Sequence, residues 1–453
     1  MAASLWDEAR VPFDFEPASG RLEFDVVIIG GGYTGLWTAL ELIETDPELR
    51  IAILEKHHVG FGASGRNGGW CSSILPMSLS RIAAVHGIPV AKRMQETMIS
   101  VVDDIGTTTH RLGIDCDFAK GGTISLARND FQLERADSEI TESRALGLGE
   151  DHVRRLDQDE TAERIRTPGR PVSNFQAGCA ALHPRKLIDG LARVVSERGV
   201  AIHEHSPVTS IAAHSVRTDR ANITARSVLV CTEGYTVTLP GRRRQVAPLY
   251  SLMIATEPLS EDQWTEIGLA ERTTFADHRH LIIYGQRTAD GRLAFGGRGA
   301  PYHFGSRIEQ RFDTDDSVKK HLITELRALF PSLDNTEITH HWGGPLAIPR
   351  DWTFSVGYDP DTGIGGAGGY VGDGVATSHL AGRTLADLVL GRTTPRTVLP
   401  FVGHKSRTWE PEPFRWAAIN GMARLAARMD RLEAQGRRPS GLLRSLIDRV
   451  TGS

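Results

Sequence analysis

Cysteine is scarce in this sequence, and the four that occur lie far apart. Cys71, Cys116, Cys179 and Cys231 form no Cys-x-x-Cys pair. This spacing argues against a zinc site and against a disulfide framework, so we expect reduced thiols and no bound metal.

Features of membrane and nucleic-acid proteins are also missing. The first ten residues contain no basic segment followed by an apolar run, and the apolar run at 26–29 is far too short to cross a bilayer. A net charge of −4 gives no general attraction to nucleic acid. We therefore expect a cytoplasmic protein with no membrane span and no nucleic-acid partner. Its 453 residues are enough for two or three domains.

Glycine is abundant, and its first cluster follows a short β-branched run. Residues 25–29 are typical of a buried parallel strand, and Gly30, Gly32 and Gly35 follow at the G-x-G-x-x-G spacing. A helical pattern of apolar residues comes next, and then a second strand that ends at Glu55. Strand, turn, helix, strand and acid in this order predict a nucleotide-binding βαβ unit.

Each part of this unit has a physical role. Gly30 permits the tight turn, Gly32 lets a pyrophosphate approach the backbone, and Gly35 lets the helix pack against the strand. The helix N-terminus offers free N–H groups and a partial positive charge to the phosphates. Glu55 can accept hydrogen bonds from ribose hydroxyls, and it disfavours NADP because it would repel a 2′-phosphate. The motif alone does not separate NAD from FAD.

A second glycine-rich segment separates the two cofactors. Five glycines fall within residues 60–69, a density that excludes a stable helix or strand. Such a loop exposes backbone N–H groups, and Ser64, Arg66 and Asn67 add side-chain donors. These groups suit a second approach to a pyrophosphate or to the polar edge of a flat ring. An NAD-dependent Rossmann domain needs no such loop at this point.

The two glycine segments resemble those of the D-amino-acid oxidase-like family of FAD-dependent oxidoreductases. That family includes glycine oxidase, sarcosine oxidase and γ-glutamylputrescine oxidoreductase, and the loop at 60–69 looks most similar to that of the last. Cys231 and Glu233 are mild departures from the residues usual in the family. The further blocks that resemble the family are 181–187, 202–211, 227–234, 339–344 and 363–377.

The resemblance implies an α/β fold, α+β overall. It consists of a Rossmann-like FAD-binding domain and a second domain built on an antiparallel sheet, as in glycine oxidase and sarcosine oxidase. An Asp290-Gly291 pair predicts a hairpin turn in that sheet. The predicted division gives 20–90, 176–245 and 340–400 to a discontinuous FAD-binding domain, 91–175 and 246–339 to a substrate domain, and 401–453 to a helical tail.

The predicted FAD-binding residues come from the two glycine segments and from the blocks that resemble the family. Backbone at Val208 would meet the adenine. A turn at 372–374 would place a helix N-terminus at the N1–C2=O edge of the flavin, where the reduced ring carries negative charge. The complete predicted set is Gly30, Gly32, Tyr33, Thr34, Gly35, Glu55, Lys56, Ala63, Ser64, Arg66, Asn67, Gly68, Gly69, Val208, Gly234, Gly372, Asp373, Gly374 and Val375.

We expect FAD to be held without a covalent bond. Some relatives link the flavin through a cysteine in the C-terminal half, and others through a histidine in the glycine loop. This chain has no cysteine after Cys231, and Asn67 falls at the position of that histidine.

Aromatic residues near the similar blocks are the candidates for the substrate site. His341, Tyr284 and Trp70 are the candidate catalytic residues. Ordinary packing explains each aromatic at least equally well, and a lone histidine is more often structural. The predicted substrate-contacting residues are Trp70, Tyr250, Tyr284, Trp342 and Tyr370.

The expected reaction is oxidation of the C–N bond of a small amine or amino acid, such as a polyamine derivative of the γ-glutamylputrescine kind. Hydride transfer to flavin N5 would leave an imine, which water hydrolyses. The reoxidant would be O₂ or an electron carrier. Several relatives use a lysine near the flavin to activate oxygen, but no lysine lies between Lys186 and Lys319 in this chain. Oxidase and dehydrogenase therefore both stay open. The alternatives are an NAD-dependent dehydrogenase and a non-enzymatic flavin redox sensor.

Overall fold

The computed structural model describes residues 4–441, and within that range two large sheets dominate the fold. Each has eight strands, and a small two-stranded sheet, Trp70–Ser72 with Cys179–Ala181, lies apart from both. The mixed α/β class agrees with the expectation from sequence.

The first sheet is built around the strand Gly20–Ile29. This strand pairs in parallel with Ile51–Leu54 on one side and with Ala221–Val230 on the other. Val26 and Ile28 face one core and Val27 and Ile29 face another, which is why the run is continuously apolar. The remaining strands of this sheet are Ala201–His203, Val208–Ala212, Ser215–Thr218, Ser355–Asp359 and Ile364–Gly368.

Helices cover the first sheet and bury its larger core. The helix Tyr33–Thr45 packs closely on the late helix Gly374–Val389. Glycine at position 382 permits this approach, because a Cβ there would lie 2.9 Å from the backbone nitrogen of Thr38. The helices of this layer are Tyr33–Thr45, Leu79–His86, Ile88–Arg111, Pro184–Glu197 and Gly374–Val389.

The second sheet is antiparallel except at one junction, where Thr274–Asp277 pairs in parallel with Thr123–Ala127. The predicted hairpin is present, with Gly291 in its turn at a φ of +77°. The strands in spatial order are Ile338–Ile348, Ala247–Thr256, Leu293–Gly297, Ile283–Arg287, Thr274–Asp277, Thr123–Ala127, Val172–Gln176 and Val153–Leu156. The helices beside it are Asp130–Ala145, Gln158–Arg164, Glu261–Ile267 and Asp316–Leu329.

Two of the expected domain boundaries do not coincide with the elements. The boundary at residue 90 falls inside the helix Ile88–Arg111, whose buried side chains, Met98 among them, join the core of the first sheet. The boundary at residue 340 falls inside Ile338–Ile348, which pairs with Ala247–Thr256 in the second sheet. An apolar stripe or a strand pattern does not by itself say which sheet the segment will join.

The predicted helical tail contains one described helix, Phe414–Ala434, which packs on the rest of the protein. Met429 is fully buried, and the carboxylate of Asp430 accepts 2.9 Å hydrogen bonds from the backbone N–H groups of His280 and Leu281. Arg135 pairs with Glu433 through both terminal nitrogens. Residues 442–453 of the predicted tail lie outside the described residues. Across 4–441, no helix combines the length and hydropathy needed to cross a bilayer.

Candidate functional site

The first glycine turn requires the absence of side chains at two positions. Gly30 has a φ of +112°, and a Cβ there would lie 2.4 Å from the carbonyl oxygen of Cys231. A Cβ at Gly35 would lie 2.2 Å from the carbonyl oxygen of Gly30. Both distances are far below van der Waals contact, so the chain turns and the helix Tyr33–Thr45 packs only with glycine here. The N-cap residue, Gly32, has no side chain to cap this helix.

Glu55 follows the strand Ile51–Leu54 and lies beside this turn. Its carboxylate accepts 2.9 Å hydrogen bonds from the backbone N–H groups of Gly31 and His57. Burial raises the pKa of Glu55, and the two N–H donors oppose that effect. The carboxylate keeps free lone pairs, so it can also accept bonds from ribose hydroxyls as the sequence suggested.

The second glycine segment touches the first. Ser64 Oγ accepts a 2.9 Å hydrogen bond from the N–H of Tyr33, the first residue of the helix. Asn67 ties the loop together: its Nδ2 donates to the carbonyls of Ala63 and Ser64, and its Oδ1 accepts from the N–H of Gly69. The two segments therefore form one continuous edge of the site.

A cleft with about 1350 Å³ of empty volume opens along this edge. Its lining comes from the carboxyl ends of the parallel strands, where ligands of open α/β sheets bind. The late helix Gly374–Val389 also begins at the cleft, and the side chain at its N-cap, Asp373, makes no capping hydrogen bond. The predicted residues that line the cleft are Gly30, Gly32, Tyr33, Thr34, Glu55, Lys56, Ala63, Ser64, Asn67, Val208, Gly234, Tyr370, Gly372, Gly374 and Val375.

Some predicted cofactor residues do not line the cleft: Gly35, Arg66, Gly68, Gly69 and Asp373. Arg66 differs most from expectation. Its guanidinium is buried and donates 2.9 Å hydrogen bonds to the carboxylate of Asp313 and to the carbonyl of Gly343. A buried cation needs such partners, so this side chain ties the glycine loop to the second sheet rather than pointing at the cleft.

Trp70 and Tyr284, here called the aromatic wall, lie next to the glycine loop. Their rings meet edge to face with centroids 5.9 Å apart, and Tyr284 Oη shares a 2.8 Å hydrogen bond with Ser251. A Cβ at Gly68 would lie 2.9 Å from the Tyr284 ring, so the loop is in close contact with this wall.

Structural positions are occupied by three of the other predicted substrate and catalytic residues, His341, Trp342 and Tyr250, whereas Tyr370 lines the cleft. His341 has both ring nitrogens engaged by backbone: Nδ1 bonds the carbonyl of Met253, and Nε2 accepts from the N–H of Asp315. This arrangement does not support the acid–base role suggested from sequence. Trp342 is fully buried and donates from Nε1 to the carbonyl of Arg66. Tyr250 is also buried, and its hydroxyl has no hydrogen-bond partner among residues 4–441.

Several cleft residues were missed from the sequence. Thr232 and Tyr235 follow the end of the strand Ala221–Val230, and the rule that ligands bind at strand ends could have found them. Pro345 and Leu346 could not be found this way, because their position depends on how two distant strands pair. Glu233 also lines the cleft, and burial raises its pKa to about 7.

The fold and the cleft together define a dinucleotide-binding protein of the doubly wound class. Backbone crowding at Gly30, open helix N-termini and an acid after the second strand fit a dinucleotide diphosphate and its ribose. The profile of the FAD dependent oxidoreductase family, DAO, matches residues 25–388. The chain therefore belongs to this family, it is an enzyme, and its cofactor is FAD.

Curated relatives and solved structures agree with this assignment. Gamma-glutamylputrescine oxidoreductase from Escherichia coli is 31% identical over 83% of this chain and 86% of its own. Probable oxidoreductase OrdL from Haemophilus influenzae is 29% identical over 85% of this chain and 87% of its own. The crystal structure of glycine oxidase from Geobacillus kaustophilus superposes with a TM-score of 0.70 at 23% identity, covering 84% of this chain and 98% of that one. This last likeness shows the fold.

Proposed function

We propose that this enzyme oxidises the C–N bond of a small amine or amino acid, with a polyamine derivative such as γ-glutamylputrescine as the first candidate. The names of the relatives, γ-glutamylputrescine oxidoreductase and glycine oxidase, support this substrate class. The observation that carries the proposal is the contact between the aromatic wall and Gly68, the residue after the cleft-lining Asn67, which gives a partly buried aromatic surface next to the cleft.

The protein's contribution to this reaction is binding, orientation and exclusion of water. FAD, when bound, supplies a ring that accepts a hydride from the carbon next to the amine nitrogen. Glu55 and the open N-terminus of the helix Tyr33–Thr45 would hold the dinucleotide, and the N–H groups at the start of Gly374–Val389 would face the ring edge. A dry aromatic surface disfavours the ammonium form, so it favours the neutral amine that reacts. Loss of hydride leaves an imine, which water hydrolyses.

Anaerobic reduction tests the proposal. The purified yellow protein is mixed without oxygen with putrescine, γ-glutamylputrescine, glycine, sarcosine and a hydroxy acid, and flavin absorbance is followed. We expect at least one amine, and not the hydroxy acid, to bleach the flavin. Subsequent exposure to air separates an oxidase, which recovers its colour quickly, from a dehydrogenase. If no compound bleaches the flavin, amine oxidation is overturned and the redox-sensor alternative gains support.

The non-covalent attachment of FAD is part of the same proposal. All four cysteines are free and buried, and only Cys231 of them lines the cleft, with 5% of its surface exposed. Heat denaturation is expected to release all of the yellow colour into the supernatant. Colour that stays with the precipitated protein would contradict this part.

A further inference from the structure

Three consecutive backbone carbonyls of the glycine loop at 60–69 accept hydrogen bonds from side chains outside the loop. The bonds are between 2.7 and 2.9 Å long. Because residues 66–68 belong to no helix or strand, these bonds fix a stretch of backbone that secondary structure leaves free. We call the three donors the loop clamp. The pairs, donor first, are Trp342 Nε1 with Arg66, Trp6 Nε1 with Asn67, and Gln286 Nε2 with Gly68.

The clamp reaches the loop from three separate segments and from the side away from the cleft. Trp6 is 2% exposed, and Gln286 and Trp342 are fully buried. None of these donors lines the cleft, whereas Ser64 and Asn67 of the loop do. The segments that carry the donors are the 3₁₀ helix Leu5–Ala9 and the strands Ile283–Arg287 and Ile338–Ile348 of the second sheet.

Trp6 is held in place by packing more than by charge. Its ring meets that of Trp342 edge to face with centroids 6.2 Å apart, and that of His183 with centroids 4.9 Å apart. Glu8 of the same 3₁₀ helix pairs with Arg292 at 3.1 Å, but its side chain is 51% exposed and such pairs add little stability. The buried indole is therefore the group through which this helix acts on the loop.

Gly69 shows how closely the clamp approaches the loop. Its φ is +70°, and a Cβ there would lie 2.0 Å from Nε2 of Gln286. The sequence predicts that Gly69 binds FAD, yet this residue does not line the cleft. Contact with the clamp gives the glycine a different reason, because a side chain at this position would displace Gln286.

We propose that the loop clamp belongs to the FAD site, and that Trp6, Gln286 and Trp342 are positioning residues that hold the glycine loop in the shape that binds the cofactor. Without the clamp, FAD has to order the loop on binding, and the entropy of that ordering is subtracted from the affinity. The clamp thus sets FAD affinity without touching the cofactor. The inference concerns the cofactor alone, so it stands whether or not the proposed amine oxidation is correct.

Gln286→Met separates positioning from stability. The variant removes the donor to Gly68 and nearly keeps the volume of the side chain. It also removes Oε1, a buried acceptor that has no hydrogen-bond partner within residues 4–441. The unfolding free energy of the FAD-free protein should therefore change little, while FAD should bind about 10-fold more weakly in a fluorescence titration.

Trp6→Phe tests the clamp from its other side, with a matched control. It loses the indole N–H and should weaken FAD binding by about 10-fold. Trp264→Phe is the control, since Trp264 is also 2% exposed and its Nε1 donates a 3.1 Å hydrogen bond to the carbonyl of Gly291 in the hairpin of the second sheet. Both variants should lose similar unfolding free energy, but Trp264→Phe should bind FAD as the wild type does.

Hydrogen exchange of the FAD-free proteins locates the effect within the chain. The amides of 60–69 should exchange faster in Trp6→Phe than in Trp264→Phe, whereas those of the strand Gly20–Ile29 should exchange alike in the two variants. Saturating FAD should restore the protection of the loop.

Two results would overturn the proposal. The first is an FAD affinity of Gln286→Met and Trp6→Phe equal to that of Trp264→Phe. The second is loop exchange that rises equally in Trp6→Phe and Trp264→Phe, because the effect would then follow overall stability rather than the bonds to the loop.

Discussion

The glycine edge of the cofactor cleft is built from backbone without side chains, whereas the region beside the second sheet is built from side chains. Gly30, Gly32 and Gly35 work by lacking a side chain, and they lie within six consecutive residues. The aromatic wall instead brings Trp70 and Tyr284 together from positions more than two hundred residues apart. The glycine edge of the cleft is thus a local property of the chain, and the wall depends on how the small two-stranded sheet meets the second sheet. Changes in the two regions should have different consequences.

The largest effect is expected from substitution of Arg66, whose side chain joins the glycine loop to the second sheet. Arg66→Met leaves Asp313 buried without its cation, and removing one partner of a buried pair costs about 3–5 kcal/mol of unfolding free energy. Burial already raises the pKa of Asp313, so the loss should grow as pH rises and this carboxylate must ionise. Denaturant unfolding of the FAD-free protein at several pH values measures this loss of unfolding free energy. The double variant Arg66→Met/Asp313→Leu should recover part of the lost unfolding free energy, because it removes the unpaired carboxylate. Unchanged stability of Arg66→Met together with weaker FAD binding would instead support the sequence-based prediction that Arg66 binds the cofactor.

The next effect concerns the cleft alone. A Cβ at Gly32 would lie 2.9 Å from Ser64 Oγ, and Gly32 has ordinary extended backbone that valine can adopt. Gly32→Val should therefore fold but weaken FAD binding by about 100-fold or more, measured by fluorescence titration of the FAD-free protein. Gly357→Val in the first sheet, where an added Cβ meets nothing within 4 Å, is the control. Equal FAD affinity in both variants would place the dinucleotide elsewhere.

Glu55→Ala tests the ribose contact and should have a smaller effect. Loss of hydrogen bonds to a charged acceptor costs roughly 1.5–3 kcal/mol, or about 10- to 100-fold in FAD affinity. Glu55→Gln keeps an acceptor and should lose less. The exposed Glu48→Ala serves as the control, and flavin content after gel filtration gives the readout. Wild-type flavin content in Glu55→Ala would remove this residue from the cofactor site.

The smallest effect is expected at the aromatic wall. Trp70→Ala should slow anaerobic flavin reduction by roughly 10-fold with FAD retained, because the substrate loses its orienting surface. Tyr284→Phe should cost only a few-fold, since it loses the hydroxyl but keeps the ring. Tyr358→Phe removes a matching 2.8 Å hydrogen bond to Ser227 in the first sheet and is the control. Normal reduction rates in both wall variants would exclude them from the substrate site.

The site could be predicted in part because its two glycine segments are close in sequence. Gly30 and Glu55 fall where a βαβ unit places them whatever surrounds it, and Ser64 follows within ten residues. Arg66 and His341 could not be assigned from sequence. Their side chains have polar partners, Asp313 for one and the backbone of Met253 and Asp315 for the other, that are brought near only by folding. A donor in a glycine loop looks the same in sequence whether it faces a phosphate or an aspartate.

The sequence by itself determined the cofactor class, because glycine spacing acts through backbone sterics that need no distant partner. The family resemblance of its motifs also predicted the two-sheet architecture, and the hairpin at Asp290-Gly291 was predicted from local turn residues. The tertiary structure decided where Ile338–Ile348 and the helix Ile88–Arg111 belong. It also paired Arg66 with Asp313, an outcome that depends on packing between segments far apart in the chain.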